Sequence, residues 1–161
     1  MASVVALAVS FVIELGMLIV LLLPFGFIAI PYLPCLVALV ILQTLFVSGL
    51  ALWLAALNVR YRDTQHIVSV LLLVWFYLTP IIYNPDRLPV RHDVFGLSVP
   101  VRSLLMFNPM ARFSIAYRNC LFDLRFPSAS TWLACAISAG VVFYFGDRFY
   151  RRRAPRFVEE F

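Results

Sequence analysis

The chain has 161 residues, of which 63% are hydrophobic and only 13% charged, and its mean hydropathy is +0.95. Soluble domains carry roughly a quarter charged residues, so this composition excludes an ordinary water-soluble enzyme or binding module. The formal charge of +5 comes from thirteen arginines without a lysine, and much of the excess sits in Arg148–Arg156, which points to anionic membrane lipids and not to nucleic acid.

Three blocks, residues 15–59, 67–85 and 126–146, contain no Asp, Glu, Lys or Arg. A helix rises about 1.5 Å per residue, and roughly 20 apolar residues cross a hydrocarbon core. The first block is long enough for two crossings and each of the others for one. The first helix is predicted over Val4–Ile28, ending at the breakers Pro31 and Pro34. The second covers Cys35–Leu57. A compact polar loop, Asn58–His66, leads to the third, Ile67–Tyr83, where Pro80 locally breaks the backbone ladder. The fourth covers Pro127–Gly146 and runs into the arginine-rich tail.

The stretch Asn84–Arg125 differs. Pro85, Pro89 and Pro100 argue against one long helix, and Val101–Phe107 suits a short one. Asn108 followed by Pro109 reads as an N-cap with proline at the first helical position. The helix predicted after it, Pro109–Leu124, sets Phe113, Tyr117, Cys120 and Leu124 on one side. Arg112, Asn119 and Asp123 fall on the other. A hairpin dipping into the membrane edge, its backbone shielded by protein, fits this pattern. The expectation is an all-α polytopic membrane protein, a single domain over 1–161, with four transmembrane helices plus an external re-entrant helical hairpin. Seven arginines packed beside helix ends share a side with Asn58–His66, so the positive-inside rule places both termini in the cytoplasm. Met1–Val12 lacks a cationic start, so no cleaved signal peptide is predicted.

Signatures of covalent chemistry are missing from the sequence. It has no G-x-x-x-x-G-K-[ST], no H-E-x-x-H and no paired-acid motif. His66 and His92 fall in separate loops, and Cys35, Cys120 and Cys135 fit neither metal-ligand spacing nor a disulfide framework. No metal site and no cofactor are expected on the chain. Glu14 is the one acid within a predicted crossing. It is either a polar contact in a pathway or, if the helix starts late, a residue near the head groups. Trp75, Phe76, Tyr77 and Tyr83 form either an interfacial belt or, for the deeper Trp75 and Tyr77, a stacking surface for sugar rings. Ala136 with Gly140, and Ser48 with Gly49, read as close-packing positions between helices. Asn58–His66 is either a plain turn or a rigid lever on which a soluble partner pushes.

Four strings carry a resemblance: Leu57-Asn-Val-Arg-Tyr-Arg-Asp63, Trp75-Phe-Tyr-Leu-Thr-Pro-Ile-Ile-Tyr83, Asn108-Pro-Met110 and Ala116-Tyr-Arg118. Together with the closing Arg152–Glu160 they resemble the ABC-2 type permeases that export polysaccharides and polyol phosphates, the Wzm/TagG group. The all-arginine, proline-rich style resembles high-GC actinobacterial members, galactan exporters among them. The resemblance implies a cell-membrane permease that is not itself an enzyme. It would work as two copies with a separate ABC-type ATPase that holds ATP and Mg, and its cargo would be a lipid-linked glycan. It implies that Asn58, Arg60, Tyr61, Arg62, Asp63 and His66 form an ATPase-coupling loop. Trp75, Tyr77 and Tyr83, with Glu14, would line a glycan pathway. Asn108, Pro109, Arg112, Tyr117 and Arg118 would belong to an external gate hairpin. The strings match the later part of such a permease, so the family's N-terminal helix and first two crossings have no counterpart here, as in a truncated permease or fragment. Family members often carry Glu where this chain has Ile115, so no acid partner for Arg118 carries over. A membrane scaffold, or an inactive fragment, is the alternative function. A membrane transferase would need acids or histidines converging at one depth, and the sequence offers none.

Overall fold

A computed structural model describes residues 2–27, 29–58, 64–80, 92–94, 97–99 and 106–153. Its long elements are all helices: α1 (Ala2–Leu22), α2 (Leu33–Asn58), α3 (Thr64–Leu78), α4 (Pro109–Leu121) and α5 (Ala129–Arg153). Two short strands, β1 (His92–Val94) and β2 (Leu97–Val99), pair antiparallel with Asp93 opposite Ser98. They lie where prolines exclude a long helix, although the sequence pattern had not singled out strands, and they place His92 in β1 instead of a loop.

The ends of the helices follow from local chemistry. α1 stops at Leu22, earlier than Ile28, because Pro24 enters a 3-10 turn over Leu23–Phe25. Gly26 then closes it in the left-handed region at φ 83°, its N–H donating to the Leu23 carbonyl. Pro34 stands in the first turn of α2, where a missing N–H costs nothing. α4 ends at Leu121, short of Leu124, whose φ of 47° is incompatible with a continuing helix. α5 continues past Gly146 through the arginine cluster to Arg153.

Among the described residues, three segments are long and apolar enough to cross a membrane: Ala2–Phe25, Ile30–Asn58 and Ala129–Arg153. α3 is apolar too, but its 15 residues rise only about 22 Å, less than the roughly 30 Å core. The expected end of that crossing at Tyr83 lies outside the described residues.

α2 and α5 form the central pair and run parallel. The Tyr32 hydroxyl, just before α2, donates to the Leu124 carbonyl just before α5. Near the other end, the rings of Trp53 and Phe149 meet edge to face at 6.3 Å. Asn58 and Arg153 therefore share one end of the bundle. Between them the backbones nearly touch. A Cβ on Gly49 would lie 2.5 Å from the Phe143 Cα, and one on Gly146 would strike the Gly49 carbonyl. The sequence had pointed to Ala136 and Gly140 for close packing. Both are exposed, with open space beside Gly140, and it is Thr131, Cys135, Ala139 and Gly146 that are buried on α5.

α4 runs against α2. Its Phe113 lies 5.9 Å from Phe46, halfway along α2, and its Cys120 lies beside Cys35 at the start of α2. α4 thus begins in the middle of the bundle and returns to one end, which is the path of one arm of a re-entrant hairpin. α1 is lightly packed, burying only Val4 and Leu22, and α3 more lightly still.

Candidate functional site

α3 ends, and α4 begins, at the depth of Phe46, whose ring meets Trp75 at 6.4 Å and Phe113 at 5.9 Å. Broken helices inside a bilayer leave backbone groups without water, so protein must satisfy them. Pro80 stops α3 by removing an N–H and is fully buried. The Thr79 hydroxyl donates to the Trp75 carbonyl at 2.8 Å, and the Ser114 hydroxyl donates to the Pro80 carbonyl at 3.3 Å. On the α4 side, Asn108 is extended and its Oδ1 accepts from the Met110 N–H at 3.0 Å. The same oxygen accepts from the Trp75 indole N–H at 2.8 Å, while Asn108 Nδ2 donates to the Thr79 hydroxyl at 3.2 Å. One side-chain amide therefore caps α4 and ties it to the end of α3.

The two faces of α4 meet different surroundings, as its sequence periodicity requires. Beside the apolar face lies a cavity of about 460 Å³ lined by Phe11, Gln43, Trp75, Thr79, Phe113 and Tyr117, among others. Among the described residues, Gln43 Oε1 and the Tyr117 hydroxyl are buried without a hydrogen-bond partner. Beside the polar face lies a cleft of about 450 Å³ lined by Arg112, Arg118, Arg125, Asp123, Ser128 and Thr131, with their neighbours. Arg112 Nε donates to the Met106 carbonyl at 3.1 Å. Arg125 reaches Asn119 Oδ1 at 3.2 Å and Asp123 at 3.1 Å.

The residues singled out from sequence are distributed unevenly around this joint. Trp75 and Asn108, assigned separately to pathway and gate, are hydrogen-bonded to each other. Pro109 opens α4, Arg112 and Arg118 line the polar cleft, and Tyr117 meets Phe11 edge to face at 5.8 Å. Tyr77 is exposed on α3, away from Trp75. Glu14 is exposed within α1, which begins at Ala2. Asn58 is exposed at the end of α2, and His66 is exposed in the first turn of α3, not in a loop. Arg60, Tyr61, Arg62, Asp63 and Tyr83 lie outside the described residues. Thr79, Ser114 and the facing thiols of Cys35 and Cys120 went unnoticed in the sequence. Thr79-Pro80 was the visible signal, since a hydroxyl before a proline inside an apolar run offers a donor where the helix ladder fails. Among the described residues, no His, Cys, Asp and Glu are grouped to hold a metal.

Residues 1–122 match the family model for the ABC-2 type transporter, a stretch that takes in α1 to α4 and the joint between α3 and α4. The chain belongs to the ABC-2 type transporter family. It is 33% identical over 120 residues to the O-antigen export system permease protein RfbA of Myxococcus xanthus, covering 74% of this chain and 44% of the relative. Against the RfbA of Klebsiella pneumoniae it is 26% identical over 81 residues, covering 50% of this chain and 28% of the relative. The chain thus spans less than half the length of these relatives. Their names agree with the polysaccharide-exporter group that the four sequence strings resemble. With its long apolar helices, this ABC-2 family member is a multi-pass membrane protein.

Proposed function

We propose that the chain is the membrane permease subunit of an ABC exporter that carries a lipid-linked polysaccharide or polyol phosphate across the cytoplasmic membrane. A second copy completes the pathway, and a separate ABC-type ATPase, holding ATP and Mg, supplies the work. The observation that carries this proposal is the joint at Trp75, Thr79 and Asn108, in which two broken helices are linked end to end inside the bundle. A continuous helix transmits only tilt, whereas a break held by a few hydrogen bonds is a point where one segment swings against another. The family match and the names of the relatives support the same conclusion.

In this mechanism the termini and the segment from Asn58 to His66 face the cytoplasm. The ATPase engages Asn58, Arg60, Tyr61, Arg62, Asp63 and His66 and moves α3. Trp75 passes the displacement through Asn108 to α4, where Pro109, Arg112, Tyr117 and Arg118 open the outer gate. Trp75, Tyr77 and Tyr83 offer rings to the glycan, and Glu14, exposed on α1, faces the pathway or the second copy. No covalent step occurs on the chain. Copurification with an ABC-type ATPase, and glycan appearing outside cells only when both are expressed, is the expected result. Arg60→Glu combined with Asp63→Arg abolishes export while the protein stays in the membrane. Undiminished export by that double variant would remove the coupling role.

A further inference from the structure

We propose that the cleft of Arg112, Arg118 and Arg125 binds a phosphate-bearing group. This deepens the transport proposal by naming the chemistry that the outer end recognises. Among the described residues, the cleft is lined by three guanidinium groups against one carboxylate, Asp123, and by Ser128 and Thr131. Planar guanidinium forks match phosphate oxygens two at a time, and hydroxyls complete the shell. Depth strengthens the case. Arg112 lies one turn into α4, which starts midway along α2, while Arg125 lies beyond the far end of α4. A charge within the apolar depth of a membrane is costly unless it faces water or a partner. The cleft's volume of about 450 Å³ falls in the range of small-ligand sites. The three arginines thus form a stair from the bundle middle to its end, suited to a phosphate carried either on a sugar or on a lipid head group.

The test uses the full chain in nanodiscs. Glycerol 3-phosphate is titrated by calorimetry in phosphatidylcholine discs, and retained phosphatidylglycerol is counted by native mass spectrometry in mixed discs. Saturable glycerol 3-phosphate binding assigns a site open to solution, and selective phosphatidylglycerol retention assigns a head-group site. Either upholds the cleft if Arg112→Gln with Arg118→Gln weakens it at least tenfold and Gln65→Ala with Ser69→Ala, exposed on α3 away from the cleft, does not. No binding of either probe, or equal loss in both pairs, overturns it. Export and ATPase copurification are separate readouts, so this cleft and the transport role fail independently.

A different observation carries a second inference: we infer that Cys35 and Cys120 form a disulfide that fastens α4 to the start of α2. Their sulfurs are 3.0 Å apart, both residues are buried, and they are 85 positions apart in the chain. A bonded pair needs about 2.05 Å, a small further approach. Closing so long a loop restricts the unfolded chain strongly. The step is thiol–disulfide exchange: the two thiols give up two protons and two electrons to a donor disulfide, which leaves as two thiols. Oxidised glutathione serves as that donor during refolding into micelles. After thiol blocking and digestion, the peptides of Cys35 and Cys120 are expected linked, two hydrogens lighter than their sum, with Cys135 blocked. Reductant should lower the melting temperature of wild type and of Cys135→Ser by several degrees, and leave Cys35→Ser unchanged. Three blocked cysteines in the oxidised protein, or a Cys135 link, overturns the assignment.

Discussion

The α2–α5 crossing and the α3–α4 joint hold the same bundle together by opposite means. At Gly49 and Gly146 two helix backbones meet with no room for a side chain. The packing is close over many atoms, and nothing in it turns without separating the helices. At Asn108 two helix ends are joined by a few hydrogen bonds around one amide, beside a cavity of about 460 Å³. In the proposed mechanism those bonds break and re-form while α2 and α5 hold still. The contrast assigns a fixed frame to the parallel pair and the moving part to the broken pair.

Substitutions test the contrast from its strongest side downward. Gly146→Ala forces a Cβ into the Gly49 carbonyl and should cost about 3 kcal/mol in a micelle unfolding equilibrium. Gly140→Ala meets open space and should stay within about 0.5 kcal/mol. Equal losses at the two glycines would dissolve the idea of a rigid crossing.

Asn108→Ala removes the α4 cap and strands the half-buried Trp75 donor, for a loss of about 2 kcal/mol. Asn108→Asp keeps the accepting oxygens, so it should recover more than half of that stability. If the joint moves, Asp at this position still depresses export, because it cannot donate to Thr79. Tyr32→Phe deletes the hydroxyl bond to Leu124 and should cost about 1 kcal/mol in the same assay. The smallest change belongs to Asp147→Asn. Its 2.7 Å pair with Arg151 is an exposed i,i+4 contact, worth under about 0.5 kcal/mol and screened by salt.

Much of the frame is readable in the sequence. Charge-free runs locate the apolar helices, and Asn108-Pro109 announces the start of α4 with its cap. Periodicity is of less use along α2, where apolar residues cover the whole circumference, so no stripe says which side packs. On α5, Gly146 was overlooked in favour of Gly140 because only Gly140 completes a small-xxx-small pair, with Ala136, whereas Val142 stands four residues before Gly146. The link between Trp75 and Asn108 spans 33 residues, and that between Cys35 and Cys120 spans 85. Such pairings depend on depth within the bundle, which local spacing does not encode. Pro80 was visible as a breaker, but its depth emerges only when Phe46 and Phe113 are seen around Trp75.

Photocrosslinking to the ATPase tests the transport mechanism at its root. A benzophenone side chain at His66, exposed in the first turn of α3, and another at Phe122, exposed beyond α4, report on opposite ends of the bundle. In cells that express both proteins, illumination should yield an adduct of the combined mass from position 66 and none from position 122. An adduct from 122 alone, or from neither site while the ATPase copurifies, would contradict the proposed coupling end.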